Sequence, residues 1–335
     1  MKTVPFGNTD IEVTPVGLGT WAIGGWLWGG TDEALSIETI QAAVDRGIGL
    51  VDTAPVYGFG RSEEIVGKAL AGGRRDKVAL ATKVALNWDR DQNKVWRDAR
   101  AARIKQEAED SLRRLQTDRI DIYQVHWPDP LTPVEETARA MEELYREGKI
   151  RAIGVSNFSV EQMRAFSEAA PLHSLQPPYN LFERGIEEDV LPWCRQHDIA
   201  TITYGALCRG MLSGRMHAER SFPGDDLRNN DPKFQGGRFR QYLNAVQALD
   251  RFAREAKGSH VLALALRWLI DQPGVTTALW GARRPEQLEP LSDIEGWTLG
   301  KEDFRTIDAL LAEHITDPVG PEFMAPPDRE QAGVA

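Results

Sequence analysis

VDTAPVY, residues 51–57, follows an apolar run at 47–50 and carries an aspartate at its second position and a tyrosine at its last. The next segment, 61–71, has apolar residues at helical spacing. Asp52 therefore sits where a strand stops, and Tyr57 sits in the loop leading to a helix. Moving outward, the same unit recurs. Short apolar runs at 15–19, 48–52, 77–83, 119–125, 151–155, 173–176, 199–204 and 275–279 read as strands. Segments at 34–46, 61–71, 100–116, 133–147, 159–169, 187–197, 260–271 and 285–295 read as the helices between and after them. Strands that are nearly continuously apolar and β-branched belong in a parallel sheet covered on both faces. Eight such units are the number that closes the sheet on itself. The expected fold is α/β, a single (β/α)8 TIM barrel over residues 1–335. A β-hairpin at 3–13 precedes it, with Val4 and Phe6 on one arm, Ile11 and Val13 on the other and the turn at 7–10.

Helix ends carry their own signals. Segment 34–46 closes on Arg46–Gly47, segment 133–147 lies between Pro133 and Gly148, and Ser159 with Gln162 suits a capping box. Three long stretches break the rhythm: 20–33, rich in Trp and Gly; the polar loop 86–98; and 205–238, rich in Arg, Asn, Asp and Gly. Each follows a strand, so in a barrel all three gather at the C-terminal face, where barrel active sites are built. Loops of this length there are binding loops or lids. The Pro-rich tail 321–335 is expected to be mobile at its end.

The net charge of −10, from 40 basic and 50 acidic residues, argues against nucleic acid or an anionic membrane as the main partner. No apolar run reaches the length of a membrane span, and residues 1–10 lack an apolar signal core. Cys194 and Cys208 make no redox or zinc spacing and read as reduced thiols of a cytoplasmic protein. The six histidines form no HxxxH or similar cluster, so no metal is implied.

The strands end on polar side chains: Asp52, Lys83, His126, Ser156–Asn157, Gln176 and Tyr204, with Gly281 at the last. One such end marks only the arrival of the chain at water. A lysine, a histidine and a tyrosine among seven ends point instead to a proton-transfer site, provided that the ends converge.

These residues stand in motifs. GLGTW at 17–21, VDTAPVYG at 51–58, ATK at 81–83, DIYQVHWPD at 121–129, GKIRAIGVSNF at 148–158, SLQPPYNLF at 174–182 and GARRPEQLE at 281–289 follow one another in the order of the aldo-keto reductases. The chain resembles that superfamily over nearly its whole length. DPVGPEF at 317–323 resembles the bacterial, NADPH-dependent family 11 branch. The resemblance implies a barrel, a nicotinamide cofactor and reduction of a small carbonyl substrate, with Asp52, Tyr57, Lys83 and His126 as the catalytic tetrad. The chemistry can be argued from the side chains as well. Hydride addition to a carbonyl leaves an alkoxide that needs a proton as it forms. Tyr57 is the expected donor, and a nearby Lys83 ammonium is expected to lower its pKa from about 10. Asp52 keeps Lys83 charged and in place, and neutral His126 orients the carbonyl oxygen.

No GxGxxG follows a strand, so a Rossmann turn does not hold the nucleotide. The resemblance implies that Ser156, Asn157 and Gln176 hold the carboxamide, that Tyr204 stacks on the nicotinamide, and that Thr20 and Trp21 also contact the cofactor. The pyrophosphate is expected under loop 205–238, against Gly205, Leu207, Arg209, Gly210 and Ser213. Gly281, Ala282 and Arg283 open the last helix, where a phosphate is favoured. Arg283 suits a 2′-phosphate, which selects NADPH. Gln287 reaches toward adenine; Leu291 stands where the family has an asparagine.

Trp26, Trp28, Trp88 and Trp127 are expected to line the substrate pocket. Two other functions remain open to the sequence. One is a cofactor-binding regulatory module resembling potassium-channel β subunits; the other is a Schiff-base aldolase using Lys83.

Overall fold

The computed structural model describes residues 1–91 and 93–334. Strands β1 (Val4–Pro5) and β2 (Glu12–Val13) pair antiparallel. Their Phe6, Ile11 and Val13 pack onto Leu50, Ala79 and other inward residues, closing the N-terminal end of a barrel. The barrel begins with β3 (Val16–Gly19), followed by the short α1 (Trp21–Gly24) and α2 (Glu33–Asp45). Next come β4 (Leu50–Asp52) and α3 (Arg61–Leu70), then β5 (Ala79–Val84). A hairpin of β6 (Leu86–Asp89) and β7 (Lys94–Arg97) leads to α4 (Ala101–Leu115). Three regular units follow: β8 (Ile120–Val125) with α5 (Val134–Arg146), β9 (Ile150–Ser156) with α6 (Val160–Ala169), and β10 (Ser174–Gln176) with α7 (Val190–Gln196). After β11 (Ala200–Thr203) come α8 (Gly236–Lys257) and α9 (Val261–Ile270). Strand β12 (Thr277–Gly281) pairs with β3, from Ala278 against Val16 to Gly281 against Gly19, and α10 (Lys301–His314) is the last helix. The eight strands β3, β4, β5, β8, β9, β10, β11 and β12 form the closed parallel barrel that was expected.

The two-residue pleat sorts the side chains. Leu50, Ala79, Ala81, Ile122, Ala152, Ala200, Ile202 and Leu279 point inward and pack together. Val51, Leu80, Tyr123 and Ile153 point outward into the larger core beneath the helices. Continuing the inward rows by one pleat puts Asp52 above Leu50, Lys83 above Ala81 and Gln124 above Ile122, all at the C-terminal mouth. The polar strand ends thus converge because the inward period is shared.

Four features depart from the expected elements. Loop 86–98 contains the hairpin β6–β7. The loop drawn to 238 ends at α8, whose Phe239, Tyr242, Leu243, Val246, Leu249 and Ala253 form a buried stripe at helical spacing. Two helices therefore separate β11 from β12. The helix expected at 285–295 is a 3₁₀ stretch, Pro285–Ile294, because Pro290 removes a backbone donor and crowds the preceding turn. Helix α10 lies beyond the expected elements. The Ser159–Gln162 capping box is formed, and both cysteines are free and buried.

The tail crosses the barrel mouth. Arg329 lies between Asp98 (3.0 Å) and Asp129 (2.8 Å), and the Arg97 N–H donates to the Pro327 carbonyl at 2.9 Å. The expected mobility concerns the end of this tail, whose last residue, Ala335, lies outside the described residues. Among the described residues, no helix is long and apolar enough to cross a membrane.

Candidate active site

Lys83 is wholly buried and its Nζ donates to Asp52 Oδ1 at 2.6 Å, the Thr53 carbonyl at 3.0 Å and Tyr57 Oη at 3.2 Å. An ammonium has three N–H donors, and all three are used. That leaves no direction for attack on a carbonyl carbon, which disfavours the Schiff-base reading. The second Asp52 oxygen accepts from Gln176 Nε2 at 2.9 Å and Gln124 Nε2 at 3.2 Å. A buried pair of this kind is sensitive to loss of either partner, because the other charge is left without compensation.

Tyr57 is seated by a backbone contact. A Cβ on Gly58, whose φ is +67°, would lie 2.1 Å from the Gly24 carbonyl oxygen, and one on Gly24 would lie 2.5 Å from the Tyr57 carbonyl carbon. Only two glycines let α1 and the VDTAPVYG loop approach so closely. Above the loop, Trp21 stacks on the Tyr57 ring at 6.0 Å between centroids, and His126 meets it edge-on at 5.7 Å.

The electrostatics differ from the expectation at one point. Burial pushes the Tyr57 phenol well above its ordinary pKa, and the Asp52 charge pushes the same way. The net shift is therefore upward, opposite to the lowering expected from the Lys83 ammonium 3.2 Å away. Burial also lowers Lys83, with Asp52 opposing the shift. His126 is held well below its usual value by burial and then by Lys83, so its imidazole is neutral near pH 7.

Two cavities meet at this point. The larger, about 530 Å³, runs from Asp52 and Tyr57 past Thr20, Trp21, Gln176 and Tyr204 to Arg283 and Gln287. Gly205, Leu207, Gly210, Ser213 and Gly281 line it as expected, and so does Trp28, which was expected at the substrate pocket and does not line the smaller cavity. The smaller, about 240 Å³, is lined by Trp26, Trp127, His126, Ser156, Asn157 and the tail residues Met324, Pro326 and Pro327, among others. Both share Trp21, Tyr57, Gln176, Tyr204 and Met324. Asn157, at φ +62°, ties the shared wall together: its amide donates to the His126 carbonyl at 2.9 Å and its oxygen accepts from Tyr204 Oη at 2.9 Å.

A sequence profile of the Aldo/keto reductase family matches residues 15–312. This chain belongs to the aldo/keto reductase family. The reductase is 61% identical over 332 residues to "Aldo-keto reductase YhdN" of Bacillus subtilis (strain 168), covering 99% of this chain and 100% of that one. It is 36% identical to the "NADH-specific methylglyoxal reductase" of Escherichia coli (strain K12), covering 86% and 91%. Among solved structures it resembles the glycerol dehydrogenase AKR11B4 from Gluconobacter oxydans, with a TM-score of 0.87, 52% identity and coverage of 96% and 99%. It also resembles an aldo/keto reductase from Klebsiella pneumoniae in complex with NADP and acetate, with a TM-score of 0.72, 33% identity and coverage of 92% and 95%. The chain is thus an oxidoreductase of a family that reduces carbonyls with nicotinamide cofactors, and its likeness is to the family 11 branch.

Two residues expected at the cofactor or substrate site line neither cavity in this reductase, and two arginines that line the larger one have their guanidinium groups engaged by the protein. Trp88 packs at 6.1 Å from Phe59 and under Arg103, and lines neither space. Ala282 is buried beside the larger cavity without lining it. Arg209 lines the larger cavity, but its guanidinium is held in a buried network with Glu183 and Asp231, both at 2.5 Å. The Arg283 guanidinium donates to the carbonyls of Trp28 (2.9 Å) and Gly30, tying loop 20–33 to the last strand. Burial, Arg228 and Arg284 all push its pKa down.

Sequence reasoning missed Gln124, one pleat below the strand end. It also missed Arg215, Arg220 and Arg228, which line the larger cavity from loop 205–238, and the tail's contribution to the smaller one. The arginine-rich composition of that loop was the available signal for the three arginines.

Proposed function

We propose that this aldo-keto reductase uses NADPH to reduce aldehydes and ketones, among them small carbonyl compounds and sugars, to alcohols, with Tyr57 as the proton donor. The observation that carries this reading is the place of the Tyr57 hydroxyl: on Lys83 Nζ, at the junction of the two cavities. The larger cavity suits a dinucleotide phosphate, since among the described residues five arginines line it and Asp52 is its one acidic residue. Arg209 and Arg228 are neutralised by Glu183, Asp231 and Asp226. Among the described residues Arg215, Arg220 and Arg283 have no carboxylate partner, and Arg283 gives only two of its five donors to the Trp28 and Gly30 carbonyls, which favours phosphates and NADPH. The E. coli relative is named for NADH and the Klebsiella structure holds NADP, so the preference rests on these arginines.

Bound NADPH supplies the hydride. Gln176, Asn157 and Ser156 offer amide and hydroxyl groups to a carboxamide, and Tyr204 offers a ring face. His126, neutral, presents an N–H to the carbonyl oxygen. Tyr57, with its raised pKa, stays loaded with a proton until an alkoxide develops. The phenolate left behind then lies 3.2 Å from the Lys83 ammonium, whose third partner, Asp52, holds it in place. Trp21, Trp26 and Trp127 wall the smaller cavity, which accommodates a small carbonyl compound and limits water.

The test is NADPH oxidation by Tyr57→Phe against a panel of small aldehydes, ketones and sugars. Loss of general-acid catalysis lowers kcat by about 10²–10⁴-fold, while NADPH still quenches tryptophan fluorescence. An unchanged rate would remove Tyr57 from the reaction. Binding without turnover by the unmodified protein on every compound would favour the regulatory-module reading.

A further inference from the structure

Gln124 stands opposite Lys83 in the register of β5 and β8, and opposite Gly154 in that of β8 and β9. A Cβ on Gly154 would lie 2.8 Å from Gln124 Cγ and 2.4 Å from Ser174 Oγ. The absent side chain at 154 is what lets the Gln124 amide lie across the barrel interior. There it closes a three-membered ring of hydrogen bonds. Gln124 Nε2 donates to Asp52 Oδ2 at 3.2 Å, Gln176 Nε2 donates to the same oxygen at 2.9 Å, and Gln176 Nε2 also donates to Gln124 Oε1 at 3.2 Å. All three side chains are buried, Gln124 completely.

The chemistry of the ring allows one orientation only. An ionised carboxylate accepts and never donates, so both amides must turn their NH₂ groups to Asp52. Gln124 must then point its oxygen at Gln176, which blocks a flip of the Gln176 amide by setting two oxygens against each other. Gln176 lines both cavities, and with its NH₂ committed to Asp52 and Gln124 it has only its carbonyl oxygen left to offer there.

We infer that Gln124 is a positioning residue that, together with Asp52, holds the amide of Gln176 against a flip, so that the cofactor site presents an acceptor and not a donor, and that couples this site to the Asp52–Lys83 pair behind Tyr57. The inference rests on the proposed NADPH-dependent reaction. It states that a carboxamide N–H is recognised, so a nicotinamide is preferred over an analogue without that donor.

The test uses the full chain and two variants. Gln124→Met keeps the volume and removes both hydrogen bonds; Gln124→Glu restores the acceptor and can donate to Asp52 only when protonated. The first readout is binding, by tryptophan fluorescence quenching, of NADP and of its 3-acetylpyridine analogue, in which an acetyl group replaces the carboxamide. The unmodified protein should prefer NADP by about 10-fold, the worth of one good hydrogen bond, and Gln124→Met should lose a measurable part of that preference, since Asp52 alone is left to hold the Gln176 amide. The second readout is the pH profile of turnover. Gln124→Met should lower kcat by about 10- to 100-fold with little change in substrate KM, as expected for a misplaced proton-transfer group. Gln124→Glu should regain rate at low pH and lose it as the paired carboxyls of residues 52 and 124 ionise. The other titratable groups facing this layer, Lys83, Tyr57 and His126, are unchanged in both variants, so a new limb belongs to the substituted position. Should Gln124→Met fold poorly, the Gln124→Glu profile alone decides. Retained NADP preference in Gln124→Met, or a Gln124→Glu profile that matches the unmodified protein, overturns the inference. Tyr57→Phe separates the two ideas: an inactive Tyr57→Phe beside unaffected Gln124 variants sinks only the role of Gln124, whereas an active Tyr57→Phe sinks the reaction it rests on.

Discussion

Asp52→Asn removes the charge partner of a lysine that has no access to water. Lys83 keeps the Thr53 carbonyl and Tyr57 Oη, but neither carries a negative charge. Breaking a buried pair in this way costs about 3–5 kcal/mol. A ceiling follows from the lysine itself, which can escape the penalty by losing its proton. From an ordinary pKa of about 10.4, that escape costs about 4.6 kcal/mol at pH 7 and about 1.9 kcal/mol at pH 9. The sign is fixed: with its partner gone, the folded-state pKa of Lys83 is depressed further, the folded chain binds fewer protons than the unfolded one, and stability is lost as pH falls. For 335 residues, an unfolding entropy of about 2.1 cal/mol/K per residue makes these ceilings drops in Tm of about 7 °C at pH 7 and about 3 °C at pH 9. Thermal unfolding of Asp52→Asn and of the unmodified protein at both pH values reads the difference. Asp52→Asn with Lys83→Met, which removes both charges, should recover part of the loss, by about 1–3 kcal/mol, while turnover stays low. A loss of equal size at both pH values, or a double variant no more stable than Asp52→Asn, refutes the buried-pair account.

Arg283→Ala should weaken NADPH by about 10- to 100-fold, the worth of charge-assisted hydrogen bonds to a phosphate, and NADH far less; equal losses in fluorescence titrations would contradict the phosphate assignment. His126, whose folded-state pKa is depressed, destabilises the protein as pH falls below about 6.5, by up to about 1.4 kcal/mol per pH unit. His126→Asn should therefore show a flatter curve of Tm against pH between 6.5 and 4.5, and parallel curves would mean that the imidazole is not kept neutral. Arg329→Met removes the clamp between Asp98 and Asp129, so the tail should become open to limited proteolysis and KM for the carbonyl substrate should rise several-fold while NADPH affinity changes less. An unchanged KM with a released tail would show that Met324, Pro326 and Pro327 do not shape the smaller cavity.

The eight-fold alternation, the N-terminal hairpin and the polar strand ends were legible in the sequence because each is a local pattern. A continuous apolar strand reads the same in isolation as in a barrel, and once the strands are counted the shared inward pleat brings Asp52, Lys83 and His126 to one mouth. The family motifs added the cofactor class, since their order along the chain survives without any structure. Helix α8 was not read from the sequence, although the spacing of Phe239, Tyr242, Val246 and Leu249 carries it, because it lies beside a long polar loop.

Other features depend on contacts between residues far apart in the chain. Arg209 and Arg283 look alike as phosphate ligands, yet only the fold brings Glu183 and Asp231 to the first and the Trp28 and Gly30 carbonyls to the second. The direction of the Tyr57 shift follows from burial and from the Asp52 charge, which act together, and no spacing encodes how deeply a group is buried. Gln124 is separated from Asp52 by 72 positions and from Gln176 by 52, so its amide acquires partners only when the barrel closes. Sequence alone determines which face of each strand is turned inward, because the pleat is a property of the backbone. Tertiary structure decides which charges cancel, because that depends on distance in space and on how much water is left between them.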